Sequence, residues 1–217
     1  MRVKLCGITR YEDAFMALDL GVDALGFNFY TRSPRYIAPE EARAIVRRLP
    51  PLTTTVGVFV NAETPGELER IALLAGVQVL QLHGDESPAF CRHLARWPLI
   101  KALRIGAAPI DADLGDFEVQ AFLLDAPDHD RFGGTGKTFD WNQAIPIKRL
   151  RPIILAGGLR AGNVATAIRT VRPYGIDVCS GVERRPGEKD RTKVVEFMKE
   201  VIHAASNLSD EDAARTR

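Results

Sequence analysis

The sequence predicts one α/β domain, a closed (β/α)8 TIM barrel, on three observations. Short apolar runs alternate with amphipathic helical stretches along most of the chain, which is the beat of a parallel sheet covered by helices. Eight such units fit into 217 residues with no long edge segment, which favours a closed barrel over an open doubly wound sheet. Runs such as "PIILA" are apolar at every position, as expected of strands buried on both faces.

Taken in order, the first strand is "VKLCG" from Val3, followed by the helical pattern "YEDAFMALDLG", which stops at Gly21. "DALGFNF" from Asp23 and "PEEARAIVRRL" form the second unit. "TVGVFVN" from Thr55 precedes "TPGELERIALLAG", where Thr64-Pro65 supplies a cap and a first-turn proline and Gly76 a stop. "VQVLQLHG" from Val77 precedes "SPAFCRHLARW", and Ser87-Pro88 repeats the same start signal. "LIKALRI" from Leu99 is a clear strand, but "GAAPIDADLGDF" after it makes a poor, short fifth helix. "AFLLDA" from Ala121, "PIILAGG" from Pro152 and "GIDVCSG" from Gly175 complete the strands. Their helices are "WNQAIPIKRL", "GNVATAIRTV" and "RTKVVEFMKEVIHAA". The barrel is expected over residues 1–204. Residues 205–217 are polar and rich in small side chains, and are expected to fray.

The bulk properties narrow the function classes. A net charge of +1 gives no basic excess for nucleic acid or an anionic membrane surface. No run of about 20 apolar residues is present, so no transmembrane helix is expected. The start "MRVKLCGITR" has no signal-peptide pattern, and the cytoplasm is the expected location. Cys6, Cys91 and Cys179 are odd in number and widely spaced, which fits neither a disulfide framework nor, with four scattered histidines, a zinc site. Monomers and homodimers are both compatible with the sequence.

In a barrel of this kind the chemistry sits at the C-terminal ends of the strands and in the loops that follow. The polar residues there are Cys6, Asn28, Asn61, His83, Asp125, Gly157-Gly158 and Ser180-Gly181. Loops seven and eight are where such barrels hold phosphate. Gly157 and Gly158 let a ligand approach the backbone, and "SGVE" can begin a short helix whose amides face an anion. The expected partner is therefore a small phosphorylated molecule.

Cys6 and Asp125 lie across the barrel mouth from one another, an arrangement suited to an isomerisation in which one atom gains a proton and another loses one. Lys4, on the same strand face as Cys6, can favour the thiolate. The competing readings are a buried filler for Cys6 and a helix cap or loop ion pair for Asp125. Cys179 on the neighbouring strand is close enough for an accidental disulfide. Arg35 in "TRSPRYI" can hold a carboxylate through its planar fork, or be a solvated loop arginine. Gln81 and His83 alternate on strand four and both face inward. Asp177 within strand eight needs a partner, and Lys4 is the expected one.

"FGGTGKTFDW" from Phe132 ends like a nucleotide-binding P-loop, but the template's earlier glycine position is Arg131 and no strand directly precedes the glycines. The segment reads as a Gly-hinged cover over the site.

The motifs "KLCGIT", "DALGFNFYTRSPRYI", "VGVFVN", "LQLHGDE", "LLDA", "GGTGKTFDW", "LAGGL" and "GIDVCSGVE" with "PGEKD" resemble the phosphoribosylanthranilate isomerase family of tryptophan biosynthesis, from Val3 to about Ala204. The resemblance implies an Amadori rearrangement of N-(5-phosphoribosyl)anthranilate with no cofactor and no metal. It implies Asp125 as general acid, Cys6 as general base, Arg35 on the anthranilate carboxylate, and Gly157, Gly158, Ser180 and Gly181 around the phosphate. Gln81, His83 and Asp177 are expected to bind substrate. The histidine-pathway aldose isomerase shares the chemistry but uses carboxylates in both roles, and Cys6 argues against it. A non-catalytic barrel that binds phosphorylated metabolites is the reading from another class.

Overall fold

The computed structural model describes residues 1–106, 114–126 and 138–215, with side chains through 208. Eight parallel strands close into a barrel in sequence order. They are β1 (Arg2–Cys6), β2 (Ala24–Asn28), β3 (Thr54–Phe59), β4 (Val79–Leu82), β5 (Leu99–Arg104), β6 (Ala121–Asp125), β7 (Ile153–Leu155) and β8 (Gly175–Val178). The seam is β1 against β8, with Lys4 opposite Asp177 and Leu5 opposite Val178.

Alternation along each strand divides the apolar residues into two sets. Leu5, Leu25, Phe27, Phe122 and Leu124 point outward into the main core beneath the helices. Val56, Ile100, Ala102, Ala121, Leu123, Ile154 and Ala156 fill the barrel interior. Among the inward positions Lys4, Gln81, Asp125 and Asp177 are polar and buried. Burying them costs free energy unless each is paired, so they mark where stability has been given up for something else.

The helices are α1 (Tyr11–Asp19), α2 (Pro39–Val46), α3 (Pro65–Ala75), α4 (Pro88–His93), α5 (Ala144–Ile147), α6 (Ala161–Val171) and α7 (Arg191–Arg215). Two starts follow the sequence signals directly. Thr64 accepts the Glu67 N–H at 3.1 Å and Ser87 accepts the Phe90 N–H at 3.2 Å, each cap worth about 1 kcal/mol. Gly76 ends α3 in the left-handed region at φ 76°.

The poor, short fifth helix expected after β5 is, among the described residues, a 3-10 turn at Leu114–Asp116. The sixth is a 3-10 turn (Trp141–Gln143) and the four residues of α5. Pro146 lacks an N–H and blocks the carbonyl four residues back, so it is tolerated only in a first turn. α7 continues to Arg215, into the segment expected to fray. Ala204 is fully buried and Leu208, one turn on, packs against the main core, so an apolar stripe runs past the point where the composition turns polar. After β8 a 3-10 turn (Ser180–Val182) leads into a small antiparallel hairpin, β9 (Glu183–Arg185) and β10 (Glu188–Lys189). None of the described helices is long and apolar enough to cross a membrane.

Candidate active site

The C-terminal mouth of the barrel holds a cavity that is open to solvent. Cys6, Arg35, His83, Asp125, Asp177 and Ser180 line it, with Gly157 and Gly158. Eight of the ten residues expected at the site therefore converge on one space. Gln81 and Gly181 stand behind it.

Cys6 ends β1 and points inward, as does Lys4 two residues before it. Gly26 on β2 makes room for both: a Cβ there would lie 3.0 Å from the Cys6 Sγ and from the Lys4 Nζ. A hydrogen bond from the Cys179 thiol holds Cys6 well below the ordinary thiol value, helped by the Lys4 and Lys189 ammonium groups and opposed by burial. The same bond, with burial, pushes Cys179 well above that value. Of the two sulfurs, Cys6 is therefore the one that ionises more readily. Both cysteines are free.

Lys4 donates to Asp177 Oδ1 at 2.9 Å across the seam, with both side chains buried. Burial pushes Asp177 up to about 7 in spite of Lys4, and the nearby Cys6 and Asp125 charges act in the same direction as burial.

Asp125 ends β6 on the far side of the mouth. Its Oδ1 accepts the Ala126 N–H at 2.9 Å and its Oδ2 lies 3.1 Å from His83 Nε2. His83 Nδ1 is 2.8 Å from Gln81 Nε2. With Gln81 Nε2 donating to Nδ1, the proton on His83 Nε2 is aimed at Asp125. Gln81 is fully buried, and its Oε1 has no hydrogen-bond partner among the described residues. Its position behind His83 makes it a support for that ring, removed from the cavity surface.

Arg35 departs from the sequence expectation of a fork open to a ligand. Its Nε and Nη2 grip Glu183, with Nη2 to Oε2 at 2.7 Å. Glu183 also takes Lys189 Nζ at 2.9 Å and the Gly187 N–H at 3.2 Å. Burial opposes its ionisation, but the Arg35 and Lys189 contacts hold its carboxyl below the usual range. Lys189 Nζ further donates to the Cys6 carbonyl oxygen. Glu183 and Lys189 escaped the sequence reading because their partners are remote; their appearance in "SGVE" and "PGEKD" was the only trace.

Loops seven and eight meet at the corner where the sequence expects phosphate. Gly157 and Gly158 both have positive φ, 79° and 60°. A Cβ on Gly181 would strike the Leu159 carbonyl oxygen, so this glycine lets the two loops touch while Ser180 faces the cavity. Asn163 Nδ2 donates to the Gly158 carbonyl at 2.9 Å and its Oδ1 accepts the Arg160 N–H at 2.8 Å, pinning loop seven to the start of α6. The expected short helix at "SGVE" is a three-residue 3-10 turn. The cover expected at Gly133–Thr138 lies, but for Thr138, outside the described residues.

Residues 3–200 match the family model for N-(5'phosphoribosyl)anthranilate (PRA) isomerase. An N-(5'-phosphoribosyl)anthranilate isomerase of Citrifermentans bemidjiense is 51% identical over 193 residues, covering 89% of this chain and 93% of that one. The crystal structure of phosphoribosyl anthranilate isomerase from Thermus thermophilus superposes at TM-score 0.86 with 40% identity, over 94% of this chain and 99% of that one. Another phosphoribosyl anthranilate isomerase, solved in complex with reduced 1-(o-carboxyphenylamino)-1-deoxyribulose 5-phosphate, superposes at TM-score 0.80 with 40% identity, over 92% and 97% of the two chains. The chain belongs to the N-(5'-phosphoribosyl)anthranilate isomerase family.

Proposed function

We propose that this chain converts N-(5-phosphoribosyl)anthranilate to 1-(2-carboxyphenylamino)-1-deoxyribulose 5-phosphate by a general acid-base Amadori rearrangement. The observation that carries the reading is the pairing of Cys6 and Asp125. A thiol held below its ordinary value and a carboxyl group face one cavity from opposite strands. The relative solved with a reduced form of that product supports the substrate class.

Asp125 donates a proton to the furanose ring oxygen. The C1–O bond breaks, and the nitrogen lone pair forms an iminium. The positive nitrogen acidifies the proton on C2, and the Cys6 thiolate removes it. The electron pair released from the C2–H bond neutralises the iminium and gives an enolamine, which tautomerises to the amino-ketose. The proton on His83 Nε2 points at Asp125 and orients the carboxyl group; once Asp125 has given up its proton, the same contact stabilises the carboxylate.

Arg35 holds the anthranilate carboxylate through its remaining Nη1, while Glu183 fixes the plane of its guanidinium. Loops seven and eight take the phosphate at Gly157, Gly158, Ser180 and Gly181, where backbone amides can reach it. Asp177 accepts a hydrogen bond from Lys4 at the base of the cavity.

Turnover of freshly prepared phosphoribosylanthranilate, followed by loss of anthranilate fluorescence, tests the reading. Wild type is expected to be active, and Cys6→Ser and Asp125→Asn each to fall by ~10² or more while staying folded. An inactive wild type removes the substrate assignment. An active wild type with an unharmed Cys6→Ser removes the proton-transfer scheme.

A further inference from the structure

Cys179 follows the last paired residue of β8, as Cys6 follows Leu5 on β1. Leu5 is opposite Val178 in the register, so the two cysteines face each other one step further on. Adjacent strands lie roughly 4.8 Å apart, inside the roughly 4.4–6.8 Å Cα separation that a disulfide spans. Both side chains share the inward direction of Lys4 and Asp177 and line the open cavity, and the Cys179 Sγ also lies 3.8 Å from Glu183 Oε1. Gly7 leaves space around the second sulfur, since a Cβ there would sit 3.1 Å from the Cys179 Sγ. Lys189 Nζ, 3.8 Å from that sulfur, places a cation beside the pair.

We infer that Cys6 and Cys179 form a modification site for hydroperoxides, closing to a reversible intramolecular disulfide that removes the proposed base. The loss of activity rests on the proposed role of Cys6; the disulfide itself does not. In the first step the Cys6 thiolate attacks one peroxide oxygen, the O–O bond breaks, and Cys6 becomes a sulfenic acid while hydroxide leaves. In the second, the Cys179 sulfur attacks the Cys6 sulfur, the S–O bond breaks, and the departing hydroxide takes the Cys179 proton as water. The two sulfurs together lose two electrons, hydrogen peroxide is reduced, and one water and one hydroxide leave. The cationic neighbours Lys4, Lys189 and Arg35 favour the attacking thiolate, against the carboxyl groups of Asp177 and Glu183. Cys91 is fully buried in the outer core and takes no part.

The test treats the full chain with limiting hydrogen peroxide, blocks remaining thiols, and maps peptides without reduction. Wild type is expected to fall from three free thiols to one, with a Cys6–Cys179 linked peptide and a loss of about 2 Da, the two hydrogens removed. Isomerase activity of the linked protein should fall by ~10² or more, the scale for a lost base, and return with dithiothreitol. Cys179→Ser and Cys179→Ala should both lose the linked peptide and accumulate Cys6 sulfinic acid that dithiothreitol does not reverse. No linked peptide in wild type, or a link to Cys91, overturns the inference. The mapping needs no substrate, so an untreated protein without isomerase turnover would remove the proposed reaction and leave this site to be decided on the peptides alone.

Discussion

Lys4 Nζ meets Asp177 Oδ1 at 2.9 Å across the β1–β8 seam, under the floor of the cavity. The pair is buried, and burial raises Asp177 to about 7 even with Lys4 beside it. The ordinary carboxyl value is near 3.9, so between about pH 4 and pH 7 the folded chain holds a proton here that the unfolded chain has lost. Stability must then fall as pH rises through that window, by at most ~1.4 kcal/mol per pH unit for one proton. Denaturant unfolding across that range, compared with Asp177→Asn, checks this. The variant lacks the titrating group, so its deficit relative to wild type should shrink as pH rises. A difference independent of pH would show that Asp177 is ionised throughout.

The lowered value of the Cys6 thiol predicts selective alkylation. At about pH 6.5 an ordinary thiol is almost wholly protonated, whereas Cys6 is held well below its ordinary value by the Cys179 hydrogen bond. Burial pushes Cys91 up to about 11. Iodoacetamide should therefore label Cys6 first, at least ~10-fold faster than Cys91, as read by peptide mass. Equal labelling would remove the thiolate from Cys6.

Arg35 and Glu183 predict a split in the kinetics. Arg35→Lys keeps the charge but loses the planar fork, and one ammonium cannot serve both Glu183 and a substrate carboxylate. KM should rise by ~10-fold or more with a smaller change in kcat, since an interaction made equally in ground and transition states is lost. Glu183→Ala should cost ~3–5 kcal/mol of stability, because it leaves Arg35 and Lys189 buried without their carboxylate. Chemical denaturation reads the second effect and steady-state kinetics the first.

The contrast between these residues shows what a sequence makes legible. Cys6 and Asp125 could be found because the fold rule says where strand ends point, and both stand at a strand end. The β1–β8 closure even put Cys179 and Lys4 with their partners. Glu183 could not be found, because its contact with Arg35 joins residues 148 apart in two loops whose approach no periodicity encodes. The same limit applies to secondary structure. Thr64 and Ser87 announce their helices locally, but the shortness of α5 depends on where in its pattern Pro146 falls. The continuation of α7 depends on Leu208 finding the core. Composition saw only the polar residues around it.

Gly157 gives the sharpest test of the wall behind the proposed acid. Its φ of 79° is in the left-handed region, and a Cβ would lie 2.6 Å from the Ala126 backbone nitrogen and 3.2 Å from Asp125 Oδ1. Ala126 N–H is the donor that holds Asp125 Oδ1. Gly157→Ala must therefore pay ~1–2 kcal/mol for the backbone conformation and also push on the end of β6. Stability should drop by more than that conformational cost alone. The catalytic rate constant kcat should fall at least ~10-fold, as proton transfer is sensitive to displacement of the donor. Gly66→Ala is the matched control: it sits in the first turn of α3, and a Cβ there meets nothing within 4 Å. That change should be neutral or stabilising by up to about 1 kcal/mol. If Gly157→Ala behaves like Gly66→Ala in both unfolding and turnover, the close approach of loop seven to Asp125 has no part in holding the acid.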